Sequence, residues 1–314
     1  MLKSRLCIAF FAFAVGCAPA QKPLTDYVNP MLGTATLWDS VDLGFKPTKR
    51  TWGAEVFPGS SLPNAMVQVS PVTKFHSGAG YQYEDSVIYG FTHTNKGHWN
   101  LCHIPLLPVT GTPTPGDYCS PFSHERESAA PGYYQVFLDR YGVDAQLSST
   151  LRCAFHKYTY PAGAAASLLA DLQRSNEHVR AWDIRKEGDN VFAGWQQTGE
   201  KMYFYAVANR PVTGIEPVVE GDREVRIVRF GEGDGALELR IGFSFVSEKN
   251  ARENLEAEML GKSFAEVRSE ATATWNDLLG RIRVEGGTER EKGAFLFEPL
   301  PFVPLAGAAQ RRER

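Results

Sequence analysis

The chain has 314 residues, of which 43% are hydrophobic, 12% aromatic and 22% charged, with a formal net charge of -3. That composition supplies a large buried core and excludes disorder as the default state. No run of Lys or Arg precedes the last few residues, so no field draws a polyanion and nucleic acid is excluded as an expected partner.

At the N-terminus Lys3 and Arg5 precede the apolar run Leu6 to Val15 and the small residues Gly16-Cys17-Ala18-Pro19-Ala20, the pattern of an export signal over residues 1–20. Two exits fit it: cleavage after Ala20, or cleavage before Cys17 with a lipid on that cysteine, the one expected link to a membrane. No other stretch approaches the ~18 apolar residues of a spanning helix. Of the five cysteines only Cys102, Cys119 and Cys153 lie clear of the signal. At most one disulfide is therefore expected, and no Cys-x-x-Cys spacing points to structural zinc.

Residues 21–249 read as one large β domain. From about residue 60 apolar and polar residues alternate with period two, punctuated by Gly, Pro and Asp. Val143, Ala145 and Leu147 share one parity; Leu237, Leu239, Ile241, Phe243 and Phe245 repeat the pattern, and Tyr203 to Ala208 and Val225 to Phe230 are further strands. No helical period interrupts them, so the fold class is mainly β, an antiparallel β-sandwich. Within it, Phe57-Pro58-Gly59, Gly80-Tyr81 and Phe91-Thr92-His93-Thr94-Asn95-Lys96-Gly97-His98-Trp99-Asn100 concentrate aromatic, amide and imidazole groups. Such groups suit a sugar pocket, with flat apolar surfaces for C–H faces and forked hydrogen-bonding groups for hydroxyls.

Over residues 250–292 the period becomes helical. Asn250 is the expected cap of a helix to Met259, and Ser263 with Glu266 forms a capping box for a second helix to Gly280. Phe264, Val267, Ala271, Trp275 and Leu278 stripe that second helix, a face expected to await another domain. Two readings of the pair are open, a connector or a cap on the sandwich edge, and the connector is favoured. Thr288 to Lys292 could begin another helix, whereas residues 293–314 carry three prolines within Pro299 to Pro304 and a charged end.

The motifs assemble into a family pattern. Tyr27-Val28-Asn29-Pro30-Met31-Leu32-Gly33-Thr34, Phe57-Pro58-Gly59, Leu62-Pro63, Met66 to Pro71, Gly80-Tyr81, Tyr89 to Thr94, Ser120 to Glu125 and Pro131-Gly132-Tyr133-Tyr134 stand in its order. In these the chain resembles the N-terminal domain of glycoside hydrolase family 92, exported calcium-dependent α-mannosidases of Bacteroides-type bacteria. The resemblance implies a supersandwich, α-mannosides of glycans as ligands, and a C-terminal helical barrel carrying the catalytic carboxyls and the calcium ligands. That barrel is missing from the sequence, so no catalytic residue is assigned and calcium is expected to bind the full-length family, not this chain alone. The chain departs from the family at Lys96-Gly97-His98-Trp99-Asn100, where many members have a Gly-rich, acidic loop. Residues 293–314 read as a frameshifted tail, the last native residue lying near Lys292.

The candidate substrate-binding residues are Phe57, Tyr81, His93, Thr94, His98, Trp99 and Asn100, each weighed against a packing or turn role. His93, His98 and His103 recur every five residues, a spacing that reverses face on a strand and misses the one-turn register of a helix, so a three-histidine metal site is not expected. His124 and Glu125 read as a local turn, and Trp182 and Trp195 as core or interdomain packing. The rival to an enzyme domain is a free-standing carbohydrate-binding module centred on Trp99; a third reading is an unrelated sandwich enzyme with its own acid pair.

Overall fold

The computed structural model describes residues 22–36, 44, 46, 56–96, 99–283 and 285–297; of residues 95, 96, 99, 296 and 297 it describes the backbone alone. The export signal and Cys17 lie outside these residues. The alternating segments form strands that pair antiparallel throughout. One sheet has seven strands, in the spatial order Ser60–Ser61, Gln68–Val72, Gly90–Thr92, Leu106–Val109, Ser167–Ala170, Arg223–Phe230 and Val212–Glu220. The other has eight: Ala181–Lys186, Val191–Gln197, Lys201–Ala208, Leu237–Ser244, Cys153–Thr159, Val143–Ser149, Tyr133–Leu138 and Glu127–Ala130.

One buried cluster draws Val69, Phe91, Leu106, Leu168 and Ile227 from the first sheet and Tyr134, Val143, Leu147, Phe204 and Leu239 from the second. Inner faces of two antiparallel sheets sharing a core make a sandwich. The period-two expectation is met residue by residue, with Val143, Ala145 and Leu147 buried between half-buried neighbours. Gly59 owes its place to close approach: a Cβ there would lie 2.0 Å from the Val69 carbonyl oxygen. Gly59 is thus a packing device where strand Ser60–Ser61 meets its neighbour.

Three α-helices follow: α1 (Glu248–Glu258), α2 (Phe264–Leu279) and α3 (Glu289–Phe297). Ser247, not Asn250, caps α1, its hydroxyl accepting from the Asn250 amide, because the chain leaves the preceding strand three residues earlier than expected. The capping box of Ser263 and Glu266 on α2 is formed.

The helix stripe has a partner, which corrects the expectation of an open face. Leu255, Met259, Phe264 and Val267 pack on Tyr133, Cys153 and Phe155, the outer side of the eight-stranded sheet. Ala271 and Trp275 pack on Leu62 and Ala65, and the Trp275 indole N–H donates to the Ser61 carbonyl at 2.7 Å. Gly242 permits this, since a Cβ there would sit 2.1 Å from the Ala251 carbonyl of α1. The two helices therefore lie against the sandwich while following it in chain order, as linker helices do. Helix α3 runs five residues past Lys292, contacting the N-terminal turn Leu24–Tyr27. Among the described residues no helix is long and apolar enough to cross a membrane, and Cys102, Cys119 and Cys153 are free thiols.

Candidate functional site

The sequence-nominated residues fall in one end of the sandwich and its adjoining core. Strand Gly90–Thr92 delivers His93 and Thr94 inward, and a small hairpin, Asn95–Lys96 paired with Trp99–Asn100, follows at once. His98 lies outside the described residues, and Trp99 is known only by its backbone in that hairpin. Phe57 is half-buried beside the first strand.

His93 is fully buried, with Nε2 3.0 Å from Nε2 of His156, whose Nδ1 faces the Tyr158 hydroxyl. The two imidazoles share one proton between their Nε2 atoms. Burial lowers the His93 pKa to about 3 and depresses that of His156 well below the usual range, with mutual repulsion adding to the latter. The ring of His93 also rests on Phe243. This is a core histidine pair, held by one hydrogen-bonding neighbour and packed by aromatic rings.

Thr94 and Asn100 are equally closed to solvent, and their polar atoms are spent inside. The Thr94 hydroxyl meets Nδ1 of His103 at 2.9 Å. Asn100 donates to the Ala79 carbonyl at 3.1 Å and accepts from the Cys102 amide at 2.7 Å. Tyr81 is buried as well, its hydroxyl donating at 3.0 Å to Glu127. Tyr134 donates to the same carboxylate, and His124 Nδ1 approaches it at 2.6 Å while its Nε2 donates to the Tyr83 carbonyl. Burial, then the Glu127 charge, raises both phenols above their ordinary range, so both remain donors. His93, Thr94, Asn100 and Tyr81 are thus placed as scaffold of the sandwich end, with no atom directed to solvent for a sugar hydroxyl.

Sequence reasoning missed Glu127, Glu177, Gln196 and Thr198. Glu127 had one available signal, His124 three residues before it; the turn there is as expected, with Ser123 capping Glu125. Gln196, fully buried, accepts from the Ile104 amide at 2.8 Å and donates to the Leu172 and Arg174 carbonyls at 2.9 Å each. No local pattern marks it, because its partners lie some 25 to 90 residues away. Trp182 and Trp195 are half-buried and covered by cations, Arg226 over the first and Lys201 over the second at 3.9 Å.

His93 and His103 go to separate partners, and among the described residues no group of three or more His, Cys, Asp or Glu side chains could hold a metal.

Comparison with known proteins agrees with this architecture. The chain matches the glycosyl hydrolase family 92 N-terminal domain over residues 27–254 and the glycosyl hydrolase family 92 catalytic domain over residues 250–297. It belongs to glycoside hydrolase family 92. An uncharacterized secreted glycosidase of Arthroderma benhamiae is 24% identical, the match covering 83% of this chain and 38% of the relative. The family GH92 α-mannosidase BT3965 from Bacteroides thetaiotaomicron superposes with a TM-score of 0.76 at 25% identity, over 88% of this chain and 40% of that one. The inverting mannosidase BT2199 of the same organism gives 0.73 at 24% identity, over 87% and 38%. The chain thus spans about two fifths of the length of these relatives. The catalytic-domain match ends at residue 297, the end of α3 and five residues beyond the break expected at Lys292.

Proposed function

We propose that this chain is the N-terminal half of an exported, exo-acting α-mannosidase, bordering the substrate cleft and inactive by itself. The observation that carries the reading is the continuous family match, which fills the sandwich and crosses into the opening residues of the catalytic domain. The mannosidase neighbours, one of them solved with mannoimidazole, support α-mannosides as the ligand class. The secreted relative and the signal at residues 1–20 support export.

In the complete enzyme one carboxyl protonates the glycosidic oxygen and another activates water, an arrangement that needs the two about 6.5–9.5 Å apart for inversion. Neither is assigned to this chain, and the calcium of the family belongs with the barrel. Here the sandwich supplies one wall of the cleft, with the paired strands Asn95–Lys96 and Trp99–Asn100 and Phe57 at its edge.

The test is to sequence the gene through and beyond the codons for residues 293–314 and to assay the expressed chain on an aryl α-mannoside. An open frame encoding a helical, acid-bearing domain and no hydrolysis by the chain alone are the expected results. Hydrolysis by the 314-residue chain, with or without chelator, would overturn the reading.

A further inference from the structure

The backbone around His103 is strained. Cys102 and Ile104, on either side of it, both have φ of 53°, and His76 on the facing loop has φ of 59°. Three of the four described non-glycine residues in the left-handed region therefore meet at one place, and for a β-branched residue such as Ile104 that conformation is a true outlier. Asn100 holds the Cys102 amide, Gln196 holds the Ile104 amide, and Asn176 accepts from the His76 amide at 2.6 Å. Strain kept in place by so many partners is a pointer to function.

What the strain achieves is the aim of one side chain. His103 lies buried with Nδ1 on the Thr94 hydroxyl and Nε2 on the Thr198 hydroxyl, 3.0 Å away. Thr198 donates to Glu177 Oε2 at 2.6 Å, so its oxygen accepts from His103 Nε2–H, and Nδ1 accepts from Thr94. Burial, opposed by the nearby Glu177, lowers the His103 pKa to about 4, leaving this neutral tautomer in charge at neutral pH. The relay ends at the surface: the Glu177 side chain is 40% exposed. Both inward groups address Oε2, and among the described residues none donates to Oε1 and no Lys or Arg pairs with the carboxylate. Asn176, the preceding residue, donates to the Asn100 carbonyl at 2.6 Å, which fixes Glu177 beside the hairpin.

We propose that Glu177 is a sugar-binding carboxylate, its Oε1 accepting hydroxyls of a neutral pyranoside, with His103 and Thr198 as the positioning residues behind it. A loop anchored for stability alone gains nothing from a strained, buried imidazole aimed at a carboxylate that no described Lys or Arg pairs with. A carboxylate oxygen fixed in place, with no described Lys or Arg competing for it, suits a polyol hydroxyl, since charge-assisted hydrogen bonds are the strong ones. The proposal rests on the domain reading above and names the atom through which this half of the enzyme meets its substrate.

The experiment is a titration of the whole chain with methyl α-D-mannopyranoside followed by ligand-observed NMR, for wild type, Glu177→Gln, Thr198→Val and Thr198→Ser. Glu177→Gln keeps a carbonyl for Thr198 but loses the charge, and is expected to weaken binding about tenfold or more with an unchanged melting temperature. Thr198→Val removes the aiming hydroxyl at constant size and is expected to weaken binding, while Thr198→Ser restores it, a rescue that a merely structural role does not produce. Binding by Glu177→Gln equal to wild type, or no binding by wild type in the tens of millimolar, overturns the proposal. The domain reading fails separately, on the gene sequence and the aryl mannoside assay.

Discussion

His93 and His103 are ten residues apart, lie on neighbouring backbones joined by the His93 amide and the His103 carbonyl at 3.2 Å, and are equally buried. Their surroundings separate them. Around His93 stand Phe243 and a second histidine, itself edge-on to Phe91, and the pair's hydrogen bonds end inside the core at Tyr158. Around His103 stand two hydroxyls and the edge of one ring, Phe245, and its hydrogen bonds end at a half-exposed carboxylate. The same side chain, at the same depth, is packing in one case and an aiming device in the other; the destination of the bonds decides which.

The largest effect that both networks share is on acid stability. His93 and His103 have folded pKa values lowered to about 3 and about 4, and that of His156 is lowered too, all by burial. Unfolded histidines bind protons below about pH 6.5, where the folded ones do not, so the unfolded state takes up more protons and stability falls as pH falls. Each buried neutral imidazole contributes full stability above pH 6.5 and loses about 1.4 kcal/mol per pH unit below it, until its own folded pKa is reached. Urea midpoints measured from pH 7.5 to 5 should drop steeply, and a flat profile would show that the histidines are solvated. Replacing His103 with Gln should shallow that slope by one histidine's share.

Next in size is the sealed pair. His156→Leu removes the partner of His93 Nε2 and of the Tyr158 hydroxyl at once, and two buried polar atoms without partners should cost about 2–4 kcal/mol in urea unfolding. Its counterpart, Asn100→Ala, strips the Ala79 and Cys102 bonds and should cost about 1–3 kcal/mol. The two variants sharpen the comparison through a second readout. His156→Leu should leave mannoside binding unchanged, whereas Asn100→Ala loosens the Cys102 amide next to His103 and should weaken it.

Much of the fold was legible because it rests on local periodicity. The alternation of Val143, Ala145 and Leu147 and of Leu237 through Phe243 has one physical solution, a strand with one face in a core, and the capping box of Ser263 and Glu266 names its own helix start. The partner of the Phe264 to Trp275 stripe was not legible, since an apolar face says that it is buried and not against what. The site was less legible still. His93, Thr94 and Asn100 bear the chemistry of a sugar pocket, yet the surrounding sheets and loops bury them, and composition does not fix whether a polar group just past a short strand faces core or solvent. Glu177 and Thr198 gave no signal, because a glutamate before a histidine and a threonine in a turn are ordinary until the fold brings them within 2.6 Å.

The smallest expected effect isolates the strain itself. His76 is exposed and sits at φ of 59°, so His76→Gly relieves the left-handed penalty without opening a cavity. The relief of about 1–2 kcal/mol is opposed by the greater freedom glycine has in the unfolded chain, about 0.5–1 kcal/mol, leaving a net stabilisation near 0.5 kcal/mol. If the strain at this knot is stored to aim Glu177, the stabilised variant should bind methyl α-D-mannopyranoside more weakly, because the loop holding Asn176 through the His76 amide gains other conformations. A gain in stability with unchanged binding would separate the His76 loop from the relay and confine the aiming role to Cys102, His103 and Ile104.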